Sequence, residues 1–368
     1  MLIADVIKTL EQWAPLAWQE SYDNAGLITG DAKQACTGII CALDATEEVV
    51  DEAITLGANL VVAHHPIIFR GLKKITGRNY VERTIIKAIR NGIALYACHT
   101  NLDNIAEGVN GCIADRLELS NRSILSPRPQ TLKKLYTFAP ADHAENVRAA
   151  LFAAGAGEIS RYSSCSFNTE GIGTFKAGAG TRPFVGRQGE LHEEKEIRIE
   201  VVFAANLEQT LIAALREAHP YEEVAFDVVE LSNAHPGLGA GLVGDLPAPL
   251  EPADFLALLQ SRFNLPVVRH TAVPAGVIKR IALCGGAGSF LIPNALASGA
   301  QAYVTADLKY HEFFDADGRL LLADIGHYES EQFTIGLLHE FLVKKFTTFA
   351  VLKTKVETNP VRYFPANR

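Results

Sequence analysis

The stretch IICALDATEEVVDEAITLGANLVVAHH, residues 39–65, has the pattern of a strand, a helix, a Gly-Ala turn and a second strand. Both of its apolar runs are continuous rather than alternating, which is typical of strands buried on both faces of a parallel sheet. Residues 281–307, IALCGGAGSFLIPNALASGAQAYVTAD, repeat the pattern, and their turn SGAQ matches LGAN of the first stretch. The chain is therefore predicted to contain two related α/β lobes that face each other.

Each repeat leads through a helical segment to another short apolar strand, IALYA in the first lobe and LLLAD in the second. A histidine and, four residues later, an acidic residue follow each strand: His99 and Asp103 in the first lobe, His327 and Glu331 in the second. Sites in open α/β sheets form at the carboxyl ends of the strands. We therefore expect these side chains to meet in one site assembled from distant parts of the chain.

A segment of different character, about residues 128–240, separates the two lobes. It contains two β-α-β patterns, from LKKLYTFAP to ISRYSSCSFNT and from IRIEVVFAA to YEEVAFDVVEL, which together form the ferredoxin-like arrangement. The glycine-rich stretch between them predicts a long hairpin or a mobile loop. The predicted organisation is a first lobe at 1–127, an inserted ferredoxin-like α+β domain at 128–240 and a second lobe at 241–368.

Composition narrows the class of protein. With 368 residues, 48% hydrophobic and 21% charged, the chain is too long for one core and resembles soluble globular proteins. A net charge of -8 without a compensating basic run argues against a nucleic-acid partner.

No apolar run approaches the roughly 20 residues of a membrane span, and no cleavable signal pattern is visible, so we expect a cytoplasmic protein without a membrane partner. The six cysteines form no CxxC pair and are expected to be reduced thiols.

A third histidine cluster, His64-His65, follows the second strand of the first repeat. Successive strand residues point to opposite faces, so neighbouring histidines bind a single ion poorly unless the chain turns, as Pro66 would favour. They serve more naturally as one ligand each to two ions about 3.5–4 Å apart, an arrangement used in metal-assisted hydrolysis. Such a pair needs a bridging carboxylate, for which Asp103 and Glu331 are the candidates.

Each cluster alone also has a structural interpretation, because a histidine after a strand is often only a packed residue and an i,i+4 pair can be a surface contact. The three clusters together favour a dinuclear centre with two divalent ions per chain. Its imidazole and carboxylate ligands suit zinc, manganese, iron or cobalt, and magnesium less well.

The motifs SYDNAGLITGD, AHHPIIF, HTNLDN, HPYEEVAFDV, TADLKYHE and GHYESE together resemble the Nif-three-like family, also called GTP cyclohydrolase 1 type 2 homologues. The resemblance covers essentially the whole chain, and only Ala306 departs from the usual TGDLKYHE motif. It implies two α/β lobes around a dinuclear metal centre, an inserted domain similar to PII and CutA proteins, and a ring-shaped homohexamer. The implied metal ligands are His64, His65, Asp103, His327 and Glu331, with Glu331 in the bridging position.

Other candidates have open roles. His99 lies one helical turn from an implied ligand, so it is predicted either to support a ligand or to act as a catalytic acid or base, and we place it as the catalytic residue. Asp307 and His311 either line the pocket or are structural, and Asn24 and Asp23 either contact substrate or cap a loop. The CGGAGS turn at 284–289 is a weak candidate for a phosphate cradle. No substrate-binding residue is assigned.

The leading hypothesis is a metal-dependent hydrolase in which two divalent ions activate water against a small molecule, a nucleotide or related phosphorylated substrate. GTP ring opening is implied by the resemblance alone, because nothing in these residues selects guanine. The alternative is a metal-binding or regulatory hexameric assembly without catalytic turnover. Hydrolysis of a nucleotide and phosphoester panel would discriminate between the two.

Overall fold

The structure is a computed structural model that describes residues 1–273 and 275–364. The chain divides into two compact units, one formed by Met1–Ser126 with Gly237–Arg368 and the other by Pro127–Pro236. The strands are β1 (Gly26–Thr29), β2 (Ile39–Asp44), β3 (Leu60–His65), β4 (Ala94–Ala97), β5 (Ser120–Pro127), β6 (Leu132–Pro140), β7 (Phe167–Lys176), β8 (Leu191–Ala204), β9 (Phe226–Glu230), β10 (Gly239–Leu250), β11 (Arg269–His270), β12 (Ile278–Ala287), β13 (Ala302–Ala306), β14 (Leu321–Asp324) and β15 (Val351–Lys353).

The α-helices are α1 (Ile3–Trp13), α2 (Glu47–Leu56), α3 (Tyr80–Arg90), α4 (Thr100–Asp103), α5 (Val109–Arg116), α6 (Ala144–Ala153), α7 (Glu208–Ala218), α8 (Pro252–Phe263), α9 (Ile292–Ala297), α10 (His327–Glu331) and α11 (Thr334–Lys345). Short 3-10 helices lie at Leu16–Trp18, Ala205–Leu207, Ser289–Leu291 and Tyr310–Ala316.

The first lobe is built on a five-stranded sheet with the order β1-β4-β3-β2-β15. Strands β15, β2, β3 and β4 run parallel, and β1 is antiparallel to β4. Residues 39–65 form the predicted strand, helix and strand, and α2 begins after Thr46, whose side chain accepts a hydrogen bond from the backbone of Val49. Side chains of β2, α2 and β3, among them Ile40, Val50 and Val61, form one buried core.

The second lobe repeats this plan on a six-stranded sheet with the order β11-β14-β13-β12-β10-β5. Strands β12, β13 and β14 run parallel, as β2, β3 and β4 do in the first lobe. Each parallel set also carries an antiparallel neighbour on its last strand, β1 on β4 and β11 on β14. The corresponding strands β4 and β14 therefore lead at their carboxyl ends to the two histidines His99 and His327.

The unit Pro127–Pro236 has the order β6-α6-β7-β8-α7-β9 along the chain and an antiparallel sheet ordered β7-β8-β6-β9. This is the ferredoxin-like arrangement, with a core that includes Leu135, Val147, Ile199 and Leu211. The glycine-rich stretch connects β7 to β8, which pair from Phe167 with Glu200 to Lys176 with Leu191. Of the two interpretations of this stretch, the structure has the long hairpin.

Two further expectations concern the state of the cysteines and the presence of membrane-spanning helices. All six cysteines are free thiols. Across residues 1–273 and 275–364, no helix combines the length and the apolar character needed to cross a membrane.

Candidate metal centre

The candidate ligands lie where strands of the two lobes end. Strand β3 ends at His65, and β4 is followed by α4, whose last residue is Asp103. In the second lobe β14 is followed by a turn at Gly326 and then by α10, which begins at His327 and ends at Glu331. Gly326 has a φ of 88°, and a Cβ at this position would collide with the carboxylate of Glu329, so the turn requires glycine.

Glu331 joins the two lobes at the centre of the site. Its Oε2 lies 2.9 Å from Nε2 of His65 and 3.0 Å from Nε2 of His327, and these two nitrogens are 3.3 Å apart. Glu331 is only 3% exposed. Gly286 of β12 runs close beside it, with a φ of 63° and no room for a Cβ next to Oε1. The backbone of the second lobe is thus shaped around this carboxylate.

His64 and Asp103 form the other side of the cluster. Nε2 of His64 lies 3.6 Å from Oδ1 of Asp103 and 3.8 Å from Oε1 of Glu331. Both His64 Nε2 and Asp103 Oδ1 are buried without a hydrogen-bond partner in the described part of the chain. Ligand atoms that surround one ion at about 2.0–2.2 Å are separated by roughly these distances. A shared divalent cation would satisfy atoms whose isolation is otherwise costly.

The outer nitrogen of each candidate imidazole already has a partner. Nδ1 of His64 donates to the carbonyl oxygen of Cys98, and Nδ1 of His65 donates to Oδ1 of Asp44, both at 2.8 Å. Nδ1 of His327 donates to Oδ2 of Asp307, also at 2.8 Å. Such bonds hold an imidazole with its Nε2 directed at a metal. All three Nε2 atoms do point into the cluster.

In the described part of the chain, two groups of side chains have the spacing to hold a metal ion. One is His65, His327 and Glu331, and the other is His64, His65 and His99; within each group the ligand atoms all lie within 4.8 Å of one another. The predicted ligands from the two lobes are therefore brought together, and His99 lies beside them.

The electrostatics of the cluster favour cations. Burial opposes the charged form of His65, but hydrogen bonds to Asp44 and Glu331 outweigh it and raise its pKa to about 9. Burial opposes the charged form of His327 as well, but Asp307 and Glu331 raise its pKa to about 11. Burial would raise the pKa of Glu331, yet the surrounding imidazoles hold it well below its usual range. Without a metal, protons compensate this carboxylate.

His99 has a carboxylate partner of its own. Its Nδ1 donates to Oδ1 of Asp23 at 2.7 Å, and Asp23 also accepts hydrogen bonds from the backbone and hydroxyl of Thr100. Burial would raise the pKa of Asp23, but these bonds and the nearby His99 lower it to about 2. The ring of His99 lies 5.3 Å from that of His64 and 5.5 Å from that of His65. Asp23 thus fixes the orientation of His99, and its Oδ1 also accepts a hydrogen bond from the backbone amide of Asn24 in its own loop.

The cluster opens into a cavity of about 710 Å³. Its wall includes the aromatic side chains of Tyr22, Phe69, Phe290, Tyr328 and Tyr363. Arg269 also lines the cavity and is held by Asp324 at 3.0 Å. The space is large enough for a small organic molecule.

The structure also places the other residues that the sequence offered as candidates: Asp307, His311 and the CGGAGS turn. Asp307 lines the cavity and holds His327, whereas the ring of His311 makes an edge-to-face contact with Tyr310. In the CGGAGS turn, the amide of Gly285 donates to Asn110 and that of Gly286 donates to Ser330. These two amides are therefore engaged within the protein and do not form a free phosphate cradle.

Sequence reasoning missed Asp44, Thr358 and Asn359. Asp44 ends strand β2, so the strand-end signal that revealed the histidines could have found it. Thr358 and Asn359 contact Asp44 and Glu329, respectively, from the end of the chain, and no local pattern marks them.

Together the fold and the site define a two-lobed α/β protein with a candidate imidazole–carboxylate metal centre. Residues 1–360 match the family model described as Duf34/NIF3 (NGG1p interacting factor 3), so the chain belongs to this family, as the motifs predicted. It is 38% identical over 364 residues to the "GTP cyclohydrolase 1 type 2 homolog" of Halalkalibacterium halodurans, covering 97% of this chain and 98% of that protein. It is 37% identical over 368 residues to the protein of the same name from Bacillus subtilis, covering 97% of each.

A solved structure confirms the predicted fold class. The crystal structure of a Bacillus cereus protein related to NIF3 superposes with a TM-score of 0.87 at 36% identity, and the match covers 99% of both chains.

Proposed function

We propose that the protein is a metal-dependent hydrolase with a dinuclear centre. The observation that carries this proposal is the buried carboxylate of Glu331, which faces His65 and His327 with one oxygen and His64 with the other. One divalent ion would be held by His64, Asp103 and Glu331. The second would be held by His65, His327 and Glu331.

Two bound divalent ions would lower the pKa of a water molecule and polarise a substrate oxygen. Three protein ligands per ion would leave coordination positions open, as a catalytic site requires. Zinc, manganese, iron and cobalt suit the mixed ligand set. The chain itself supplies the ligands, their orientation and the cavity beside them.

His99 is the proposed acid or base. Asp23 holds its Nδ1, so the other ring nitrogen is the one that exchanges protons with substrate or water. The hydroxyl and amide of Thr100 hold Asp23 in turn, which keeps this dyad in one orientation. The role is comparable to that of an imidazole oriented by a carboxylate in other hydrolases.

The proposed substrate is a small molecule of the nucleotide class. The aromatic wall of the cavity suits a planar ring, and the names of the relatives from Halalkalibacterium halodurans and Bacillus subtilis point to GTP chemistry. No contact in the cavity identifies guanine, so a different nucleotide or phosphorylated compound fits the same proposal.

The test is hydrolysis by metal-loaded protein across a panel of nucleosides, nucleotides and phosphoesters. We expect turnover by wild type and by the control His270→Ala, which removes an exposed histidine outside the cavity. We expect none with Glu331→Gln. Absence of turnover in every metal-loaded wild-type preparation would reject the hydrolase and favour a metal-binding assembly without catalysis.

A further inference from the structure

The C-terminal segment, residues 354–363, runs from β15 toward the metal centre. The backbone of Thr354 donates to the carbonyl of Cys41 at 2.9 Å, and its hydroxyl donates to Glu52. Val356 then packs against the core of the first lobe. These contacts fix the start of the segment well before it reaches the site.

Thr358 contacts the support of a candidate metal ligand. Its hydroxyl donates to Oδ2 of Asp44 at 2.5 Å, while Oδ1 of the same carboxylate accepts from Nδ1 of His65 at 2.8 Å. Both oxygens of Asp44 are thereby engaged, and rotation of the carboxylate would break one of the two bonds. The orientation of His65 thus depends on a residue 314 positions from Asp44 along the chain.

Asn359 makes a second contact one residue later. It is 8% exposed, and its side-chain amide donates to Oε1 of Glu329 at 3.1 Å. Glu329 lies on α10 between the candidate ligands at its two ends. Asn359, Val361 and Tyr363 also line the cavity, so the segment forms part of its wall.

Thr358 supports the half of the centre that contains His65. The outer nitrogen of His64 is held by the carbonyl of Cys98, which belongs to the first lobe and makes no hydrogen bond with residues 354–363 in the described part of the chain. His65 is held through Asp44 and Thr358. Loss of the Thr358 hydroxyl should therefore affect the His65 side and spare the His64 side.

We propose that Thr358 is a positioning residue of the metal centre: through Asp44 it orients His65, and it thereby sets the affinity of the ion held by His65, His327 and Glu331. The inference rests on the proposed dinuclear centre. It adds that the C-terminal segment belongs to this centre and that the two ions depend on it unequally.

The test is a titration of metal-free, full-length protein with Mn²⁺. Binding is measured by calorimetry and, independently, by electron paramagnetic resonance of the free Mn²⁺. Thr358→Val keeps the shape of the side chain and removes the hydroxyl. We expect about 10- to 100-fold weaker binding of one of two ions, because loss of a group that supports a ligand has effects of this size. Thr358→Ser, which keeps the hydroxyl, should restore wild-type binding.

Thr354→Val is the matched control, since it makes the same change in the same segment at a hydroxyl that donates to Glu52 instead. It should bind both ions as wild type does. Asp44→Asn should weaken the same ion, and combining it with Thr358→Val should add little, because the two residues act in series. Thermal unfolding of each metal-free variant reports whether it is folded, and Asp44→Asn provides the comparison if Thr358→Val is not.

Equal affinities of Thr358→Val and wild type for both ions would overturn the proposal. So would equal weakening of both ions, an effect of Thr354→Val as large as that of Thr358→Val, or failure of Thr358→Ser to restore binding. Wild-type protein that binds no Mn²⁺, Zn²⁺ or Co²⁺ would instead reject the dinuclear centre itself, so the two failures are distinguishable.

Discussion

Nε2 of His64 and Oδ1 of Asp103 face each other at 3.6 Å, and both are buried without a hydrogen-bond partner among the described residues. This distance is too long for a hydrogen bond and suits two ligands of one ion. Burial also raises the pKa of Asp103, although nearby histidines oppose the shift. The pair is therefore the part of the site that most needs a cation.

Asp103→Asn tests this requirement, because it keeps the shape of the side chain and removes its charge. We expect one of two bound ions to be lost, or its affinity to fall at least about 10-fold. Elemental analysis of freshly purified protein and metal titration measure the effect. Asp115→Asn, at an exposed carboxylate of α5, is the control and should retain both ions. Unchanged metal content in Asp103→Asn would remove this residue from the ligand set.

His99→Ala separates the two roles predicted for His99. As an acid or base it should lower kcat by about 10²- to 10⁴-fold while the metal content stays at the wild-type value. Asp23→Asn should lower kcat by a smaller factor, because the imidazole remains and only its orientation is weakened. Loss of an ion from His99→Ala would instead identify His99 as a ligand.

Metal binding should release protons near pH 7. In the metal-free protein the pKa of His65 is raised to about 9 and that of His327 to about 11, so both imidazoles are charged at this pH. An ion must displace a proton from each before it can bind. Calorimetry in buffers of different ionisation enthalpy measures this release, and affinity should rise between pH 6 and pH 9. An affinity for metal that is independent of pH in this range would contradict the assignment of His65 and His327 as metal ligands.

The same shift has a consequence for stability without metal. A raised pKa of His65 stabilises the folded state fully below the unfolded value of 6.5, and this contribution disappears as pH rises through about 9. Metal-free protein should therefore unfold at a lower temperature at pH 9 than at pH 6.5, whereas Mn²⁺ should stabilise it more at pH 9.

Much of the fold follows from local sequence signals. Continuous apolar runs and the LGAN and SGAQ turns are contained within residues 39–65 and 281–307, so they predict both β-α-β units. The meeting of His64 and His65 with His99 also follows, because adjacent parallel strands end at the same edge of a sheet. That Glu331 lies between His65 and His327 depends on how the two lobes pack, which no local pattern encodes.

The supports of the site were harder to predict. The bond between Asp44 and Thr358 joins residues far apart in sequence, and TKVETNPVRYF has neither helical nor strand periodicity. The pair of His99 and Asp23 likewise joins two motifs, HTNLDN and SYDNAGL, whose contact depends on tertiary structure. Such contacts are specified by packing of the whole lobe rather than by the propensity of a segment.

A last prediction concerns a carboxylate outside the metal centre. Glu82, in the first turn of α3, accepts hydrogen bonds from the backbone amides of Thr76 and Arg78 and from the hydroxyl of Thr76. These bonds lower its pKa to about 2 and tie the preceding loop to the helix. A lowered pKa gives stability that is present above the unfolded value of 4.5 and is lost as pH falls toward 2.

Glu82→Gln should therefore lower the unfolding temperature at pH 7, because the amide keeps one acceptor oxygen and loses the charge that strengthens each bond. The difference from wild type should shrink as pH falls from 4.5 through about 2, because the native carboxylate itself becomes protonated near its lowered pKa. Thermal unfolding followed by circular dichroism across this range measures it, with Glu340→Gln on α11 as the control. A difference that is constant with pH would show that the charge of Glu82 does not stabilise the loop.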